Sequence, residues 1–276
     1  VTAQTRIRHL AATLLNRESP AKLRAYASFD EALKDSDSYE DPALVEIVKE
    51  KTKRYRDSLA TDAARVIESR QIVQNLMVLS YVDPQQPLDV LELGGACGAS
   101  YFELKQLVPN RIRHWSVVET AAMAAAGRDL NDDPSLSFHA DLVAATDALE
   151  SRQLVIAQGV LQYTSDPLSV LETLFGLGFA NVYITRTAVA GVDAPVFTRQ
   201  ETDLASHGPG RLPNAPAGKS SQPLTLVSAE SLFAVVPANY ELVFKFVESD
   251  DRVLSIGERR VNVRDAGFLA RLHAQH

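Results

Sequence analysis

The chain has 276 residues, 46% hydrophobic and 23% charged, which is enough to bury one substantial core plus a smaller helical appendage. A net charge of −7 and a pI near 5.4 argue against a general nucleic-acid binder, because phosphate affinity needs clustered Lys and Arg. Cys97 is the single cysteine and the six histidines show no metal-ligand spacing; an intramolecular disulfide is excluded, no metal site is expected, and a reducing, cytoplasmic setting fits.

Residues 1–80 read as helices only and form an N-terminal helical segment, a cap or an interaction surface. The first helix, with Ile7, Leu10 and Leu14 among Arg6, Arg8 and Arg17, is basic and amphipathic. Docking on the body is the expectation, with peripheral membrane contact as the alternative. No secretion signal is expected, and no apolar stretch approaches the roughly 20 residues of a membrane span. Asp41 and Pro42 supply a cap and first turn for a helix carrying Leu44, Val48, Tyr55 and Leu59. A further helix is expected from about Asp62, with Val66, Ile67, Val73, Leu76 and Met77 on one stripe.

After the turn-rich Asp83–Pro87 the pattern changes to short apolar runs alternating with helical stretches, the mark of a parallel sheet. The predicted strands are Leu88–Leu93, His114–Val118, Leu136–His139, Leu154–Gln158 and Asn181–Thr185. Their continuous apolar character predicts burial on both faces. A Pro- and Gly-rich stretch, about 187–223, is too long for an ordinary connection and reads as a lid-like insertion. A helix near Ala229–Val235 follows, then an antiparallel hairpin of Tyr240–Val247 with Arg252–Val261, then a terminal helix. Residues 81–276 thus form the main α/β domain.

The chemistry is expected at Leu88–Gly98, a buried strand running into Gly94-Gly95-Ala96-Cys97-Gly98 and then a helix. Glycines let a ligand approach the main chain, and the N–H groups at a helix start favour a carboxylate or phosphate. Glu92 followed by Gly94 and Gly98 resembles the acid-x-Gly-x-Gly-x-Gly motif of Rossmann-like methyltransferases, with Ala96 in place of the middle glycine. Dinucleotide enzymes instead use Gly-x-Gly-x-x-Gly. The resemblance implies S-adenosylmethionine (SAM) as cofactor. Glu119, 21 residues after Gly98 at the end of the second strand, is then the ribose-binding acid, with a helix cap as the bland reading. Asp141, just past the third strand, stands where such enzymes keep an adenine contact, but is also a common turn residue. Gln158 and Gly159 leave the fourth strand toward the pocket, and Asp166 reads as a cap.

The resemblance extends through Tyr26–Ala32, Ser38–Pro42, Gly159–Tyr163 and Ile184–Thr187 to methyltransferases often met in bacterial surface-polysaccharide gene sets. It implies a mostly parallel seven-stranded sheet with a C-terminal antiparallel hairpin, and a small-molecule or glycan acceptor. Arg186 and Gln200 match an arginine and a glutamine kept by that family.

Methyl transfer asks the protein mainly for positioning. His207 is the candidate base for a hydroxyl acceptor, against the reading of a solvated loop histidine. Arg186 and Arg211 are candidates for holding an anionic group, and Tyr163 and Tyr101 for the pocket wall. Cys97 reads as a small core residue. A nicotinamide oxidoreductase and a non-catalytic scaffold are the rival readings, and oligomeric state, a dimer included, is left open. Gly94→Val and Glu119→Ala are each expected to weaken cofactor binding without unfolding the domain.

Overall fold

The computed structural model describes residues 22–61, 70–210, 212–214, 216–247 and 252–273. The basic first helix, the start of the second helical stripe, including Val66 and Ile67, and Arg211 lie outside the described residues.

Strands predicted from apolar runs form where the runs lie. β1 is Lys22–Leu23, β2 Leu88–Leu93, β3 Ile112–Val118, β4 Leu136–His139, β5 Leu154–Gln158 and β6 Asn181–Ala190. β7 (Val196–Asp203) pairs with β8 (Lys219–Leu226) in a separate antiparallel sheet. β9 (Tyr240–Val247), β10 (Arg252–Ile256) and β11 (Arg259–Leu272) follow. The helices are α1 (Phe29–Lys34), α2 (Pro42–Thr61), α3 (Arg70–Leu79), α4 (Ala99–Leu107), α5 (Ala121–Leu130), α6 (Leu142–Asp147), α7 (Pro167–Gly176) and α8 (Ala229–Ala234).

The main sheet runs β4-β3-β2-β5-β6-β11-β9. The first five strands are parallel, whereas β11 is antiparallel to both β6 and β9. This is the Rossmann-like α/β arrangement, with the chain reversing its direction of travel beside β2. Alternation along the strands sorts the core into two layers. Val90, Trp115, Leu154, Ile156, Tyr183 and Leu269 face α3, α4 and α5, while Leu91, Val155, Ala157, Val182, Ile184 and Phe268 face α6, α7 and α8. Trp115 is fully buried, so its indole N–H must find an acceptor; it donates to Glu92 Oε2 at 2.8 Å.

Four expectations are corrected. The sheet has nine strands among the described residues, not seven, because β10 and then β1 continue the edge beside the first half of β11. The N-terminal segment is therefore not purely helical. Tyr240–Val247 does not pair with Arg252–Ile256: a two-residue turn at Gly257-Glu258 folds the second run back on itself, and the returning β11 pairs with both. Gly257 takes φ 59, which such turns require. Finally, the expected terminal helix is the second half of β11, a buried strand between β6 and β9. The stretch 187–223 is not a structureless insertion: β6 runs on to Ala190, and β7 and β8 make a hairpin.

The caps at Asp41 and Asp166 form as expected. Asp41 Oδ1 accepts from Ala43 N and Leu44 N at 2.8 and 3.1 Å, and Asp166 Oδ1 accepts from Leu168 N and Ser169 N, both at 3.1 Å. No helix of the described residues is long and apolar enough to cross a membrane.

Candidate functional site

The loop from β2 to α4 opens at the carboxyl end of the sheet. Gly94 N donates to Val118 O at 2.9 Å and Gly98 N to Gly95 O at 2.9 Å, so the bend is a tight turn between two strand ends. Gly94, Ala96 and Gly98 have φ of 74, 49 and 84. The first and last cost glycine little; Ala96 adopts a left-handed backbone with a side chain. Its N–H explains why the geometry holds: it donates to Glu119 Oε1 at 2.8 Å, while Glu119 Oε2 accepts from Thr120 N at 3.0 Å. Glu119 thereby fixes the loop as well as facing the cleft. Burial raises its pKa, and the two main-chain N–H groups oppose that shift.

The glycines answer to packing more than the sequence suggested. A Cβ at Gly94 would lie 2.6 Å from Val160 Cβ, one at Gly95 2.6 Å from Glu92 Oε2, and one at Gly98 3.1 Å from the Phe138 ring. Their empty side-chain positions are filled by the protein itself. Gly94 also has an open side.

That side is a cavity of about 290 Å³ lined by Gly94, Glu119 and their neighbours Leu93, Val118 and Thr120, by Gly159, Val160 and Thr164 beyond β5, and by the touching pair Tyr39 and Tyr163. It sits over the carboxyl ends of β2, β3 and β5, on the chain-reversal side of β2, where open α/β sheets bind ligands. A second hollow of about 360 Å³, between Tyr26, Phe197, Gly257 and Arg259, lies at the sheet's far edge away from the glycine loop.

The roof joins segments distant in sequence. Asp37 Oδ2 accepts from Ser221 N at 2.8 Å and from Ser221 Oγ at 2.9 Å, and Thr198 Oγ1 donates to Arg24 O at 2.8 Å. Lys51 Nζ donates to Ala205 O at 2.8 Å. The segment before α2 is thus stitched to the β7–β8 hairpin, and Tyr39 is held over the cavity. Its ring meets Tyr163 edge-on at 5.4 Å and His207 at 6.4 Å, and Tyr163 Oη donates to Gln200 Oε1 at 3.2 Å. Burial and then the neighbouring Tyr163 hold the Tyr39 phenol far above the ordinary range, so it stays protonated.

Of the residues expected at the site, Gly94, Glu119 and Gly159 line the cavity and Gln200 reaches it through Tyr163. Arg186 lies beside Gly159: a Cβ built on Gly159 would be 3.5 Å from Arg186 Cζ. Gly95, Ala96 and Gly98 shape the bend from beneath. Glu92 sits under the loop on Trp115, and Gln158 Nε2 turns to Asn75 Oδ1 at 2.7 Å. Asp141 is exposed and caps α6, its Oδ1 accepting from Ala144 N at 2.8 Å. His207 stands behind Tyr39 with Nε2 on Thr202 Oγ1 at 2.8 Å; burial and then Lys51 lower its pKa, leaving the ring neutral at neutral pH. Tyr101 is fully buried beside Lys105 and is not a wall residue. Cys97 is buried with Sγ 3.6 Å from Met123 Sδ, and burial pushes its thiol up to about 12, as befits a core residue. Tyr39 and Val160 lie in segments that carry the resemblance but are not singled out there as wall residues; the folded contacts bring them to the cleft.

Glu92 has a measurable consequence. Burial raises its carboxyl to about 7, against the hydrogen bonds from Ser100 and Trp115, which lower it. Between pH 4.5 and 7 the unfolded carboxyl ionises while the native one keeps its proton, so this group lowers stability as pH rises across that window. Glu92→Gln keeps an acceptor for Trp115 and removes the titration. It is expected to flatten the pH profile by up to about 3 kcal/mol at neutral pH in urea unfolding from pH 4.5 to 7.5; parallel profiles would show that Glu92 titrates alike in the native and unfolded states.

No family model matches the chain, and no curated protein matches it. Among solved structures it is similar to an S-adenosylmethionine-dependent methyltransferase from Clostridium acetobutylicum ATCC 824, with 11% identity, 82% of this chain and 99% of that one covered, and a TM-score of 0.44. It is also similar to the glycopeptide N-methyltransferase MtfA, with 14% identity, 76% and 96% coverage and a TM-score of 0.42. The 16S rRNA methylase RmtB shares 11% identity over 84% and 76% of the two chains, at a TM-score of 0.43. This likeness concerns the arrangement of the sheet, which the strand order above establishes by itself.

Proposed function

We propose that the chain is a SAM-dependent methyltransferase acting on a hydroxyl or amine of a small-molecule or glycan acceptor. The observation that carries this reading is the pairing, across one cavity at the strand ends, of bare main chain at Gly94 with the Glu119 carboxylate. The donor set fits the cofactor: a carboxylate already taking one main-chain N–H on each oxygen keeps lone pairs free for two ribose hydroxyls. When bound, SAM supplies an electrophilic methyl on a sulfonium. The protein's part is to orient and dry the acceptor. Tyr39 and Tyr163 wall the acceptor side, and Gln200 anchors the Tyr163 hydroxyl. In this reading residues 1–80 serve as the cap, and the 187–223 segment, with its β7–β8 hairpin, as the lid bearing on Tyr39 and Tyr163. His207, held by Thr202 and ring-to-ring with Tyr39, is not among the residues lining the cavity, so this reading rests on positioning rather than on direct base catalysis.

Calorimetric titration tests the reading. SAM and S-adenosylhomocysteine are expected to bind at one site and NAD not at all. NAD binding without SAM would move the chain to the oxidoreductases, and binding of neither would leave a scaffold.

A further inference from the structure

β6 and β11 pair residue by residue from Asn181↔Arg271 to Ile184↔Phe268 and again from Thr187↔Ala266. Between these points Thr185 and Arg186 stand opposite the single residue Gly267. This is a β-bulge, and its extra residue is Arg186, at φ 56. A left-handed backbone is costly for a residue with a long side chain. The partner strand is shaped to the same feature: a Cβ at Gly267 would lie 2.4 Å from Ile184 O and 2.9 Å from Thr185 Cα. Two positions far apart in sequence are therefore committed to turning one side chain out.

The bulge breaks the burial of β6 at one place, so that Arg186 is the exposed residue of an otherwise buried strand. Its guanidinium comes to rest beside Gly159, with Cζ and Nε 3.5 and 3.7 Å from where a Gly159 Cβ would be. Gly159 is a lining residue of the cleft. Among the described residues the guanidinium has no hydrogen bond or ion pair, and it stands next to, not within, the lining that Gly159 shares with Glu119.

We propose that Arg186 is an anion-binding subsite for the acceptor, which carries a carboxylate or phosphate group close to the atom that is methylated. This rests on reading the cleft as a methyl-transfer site. A planar guanidinium accepts either oxyanion through two parallel hydrogen bonds, fixing orientation as well as position. An acceptor gripped there presents its neighbouring hydroxyl or amine across Gly159 to the space in front of Gly94.

The test uses the whole chain saturated with S-adenosylhomocysteine, titrated separately with inorganic phosphate and with acetate while the backbone amide resonance of Gly159 is followed. Saturable shifts are expected with at least one anion, and the anion that binds more tightly names the acceptor's group. Arg186→Ala and Arg186→Gly are expected to weaken that binding at least tenfold with S-adenosylhomocysteine affinity unchanged. Arg186→Gly also relieves the left-handed backbone, so its thermal midpoint should hold or rise, which keeps a folded variant in hand. An unmoved Gly159 resonance, or equal anion affinity in the glycine variant, overturns the subsite. If the wild-type chain fails to bind S-adenosylhomocysteine at all, it is the methyl-transfer reading that falls instead.

Discussion

Glu119→Ala is expected to weaken SAM binding by roughly ten- to a hundredfold, the scale of hydrogen bonds to a charged, desolvated group. Two losses combine. The ribose loses its acceptor, and Ala96 N–H loses the carboxylate oxygen that holds the bend at φ 49. Glu119→Gln separates them, because an amide has one oxygen to offer where the carboxylate serves both Ala96 N and Thr120 N. It should therefore bind the cofactor with intermediate affinity. Calorimetry on the three proteins decides the matter: unchanged affinity in Glu119→Ala would remove the ribose contact. The companion variant Gly94→Val needs a revised expectation. Its new side chain would run into Val160 as well as sit at φ 74, so it should lower stability along with affinity and is a poor probe of the cofactor alone.

Gly267→Ala should give the largest stability loss of any single methyl group added to the sheet. The added carbon meets main-chain atoms of Ile184 and Thr185 at 2.4 and 2.9 Å, and backbone in the middle of a sheet cannot swing aside as a side-chain tip can. Overpacking of cores typically costs 1–3 kcal/mol, and this site is expected at about 3 kcal/mol in urea unfolding. A loss under about 0.5 kcal/mol would mean that β6 and β11 separate easily and that the bulge is not under constraint.

The strand ends of β2, β4 and β5 were legible to the residue because each is an apolar run bounded by turn formers, and a strand buried on both faces needs little more. The glycine loop and Glu119 were legible for a similar reason: spacing from a strand end maps directly onto position at the sheet's rim. β11 was not. Ala266, Phe268, Leu269, Ala270 and Leu272 are as compatible with a helix as with a strand, and what decides is the pair of open edges on β6 and β9 that only the assembled sheet presents. Tyr39 was unreadable as a wall residue because its position depends on Asp37 holding Ser221, 184 positions away. The reason for Gly94 was half read. The turn was foreseen, but not that Val160 fills the missing side chain's place.

The place of β11 in the sheet also bears on how the protein is made. Because this strand lies between β6 and β9 yet follows both in the chain, a nascent polypeptide emerging from the ribosome exposes two unpaired edges until residues 259–272 are synthesised. Translation pauses just upstream of that segment should be the moments when the chain most needs a chaperone's cover.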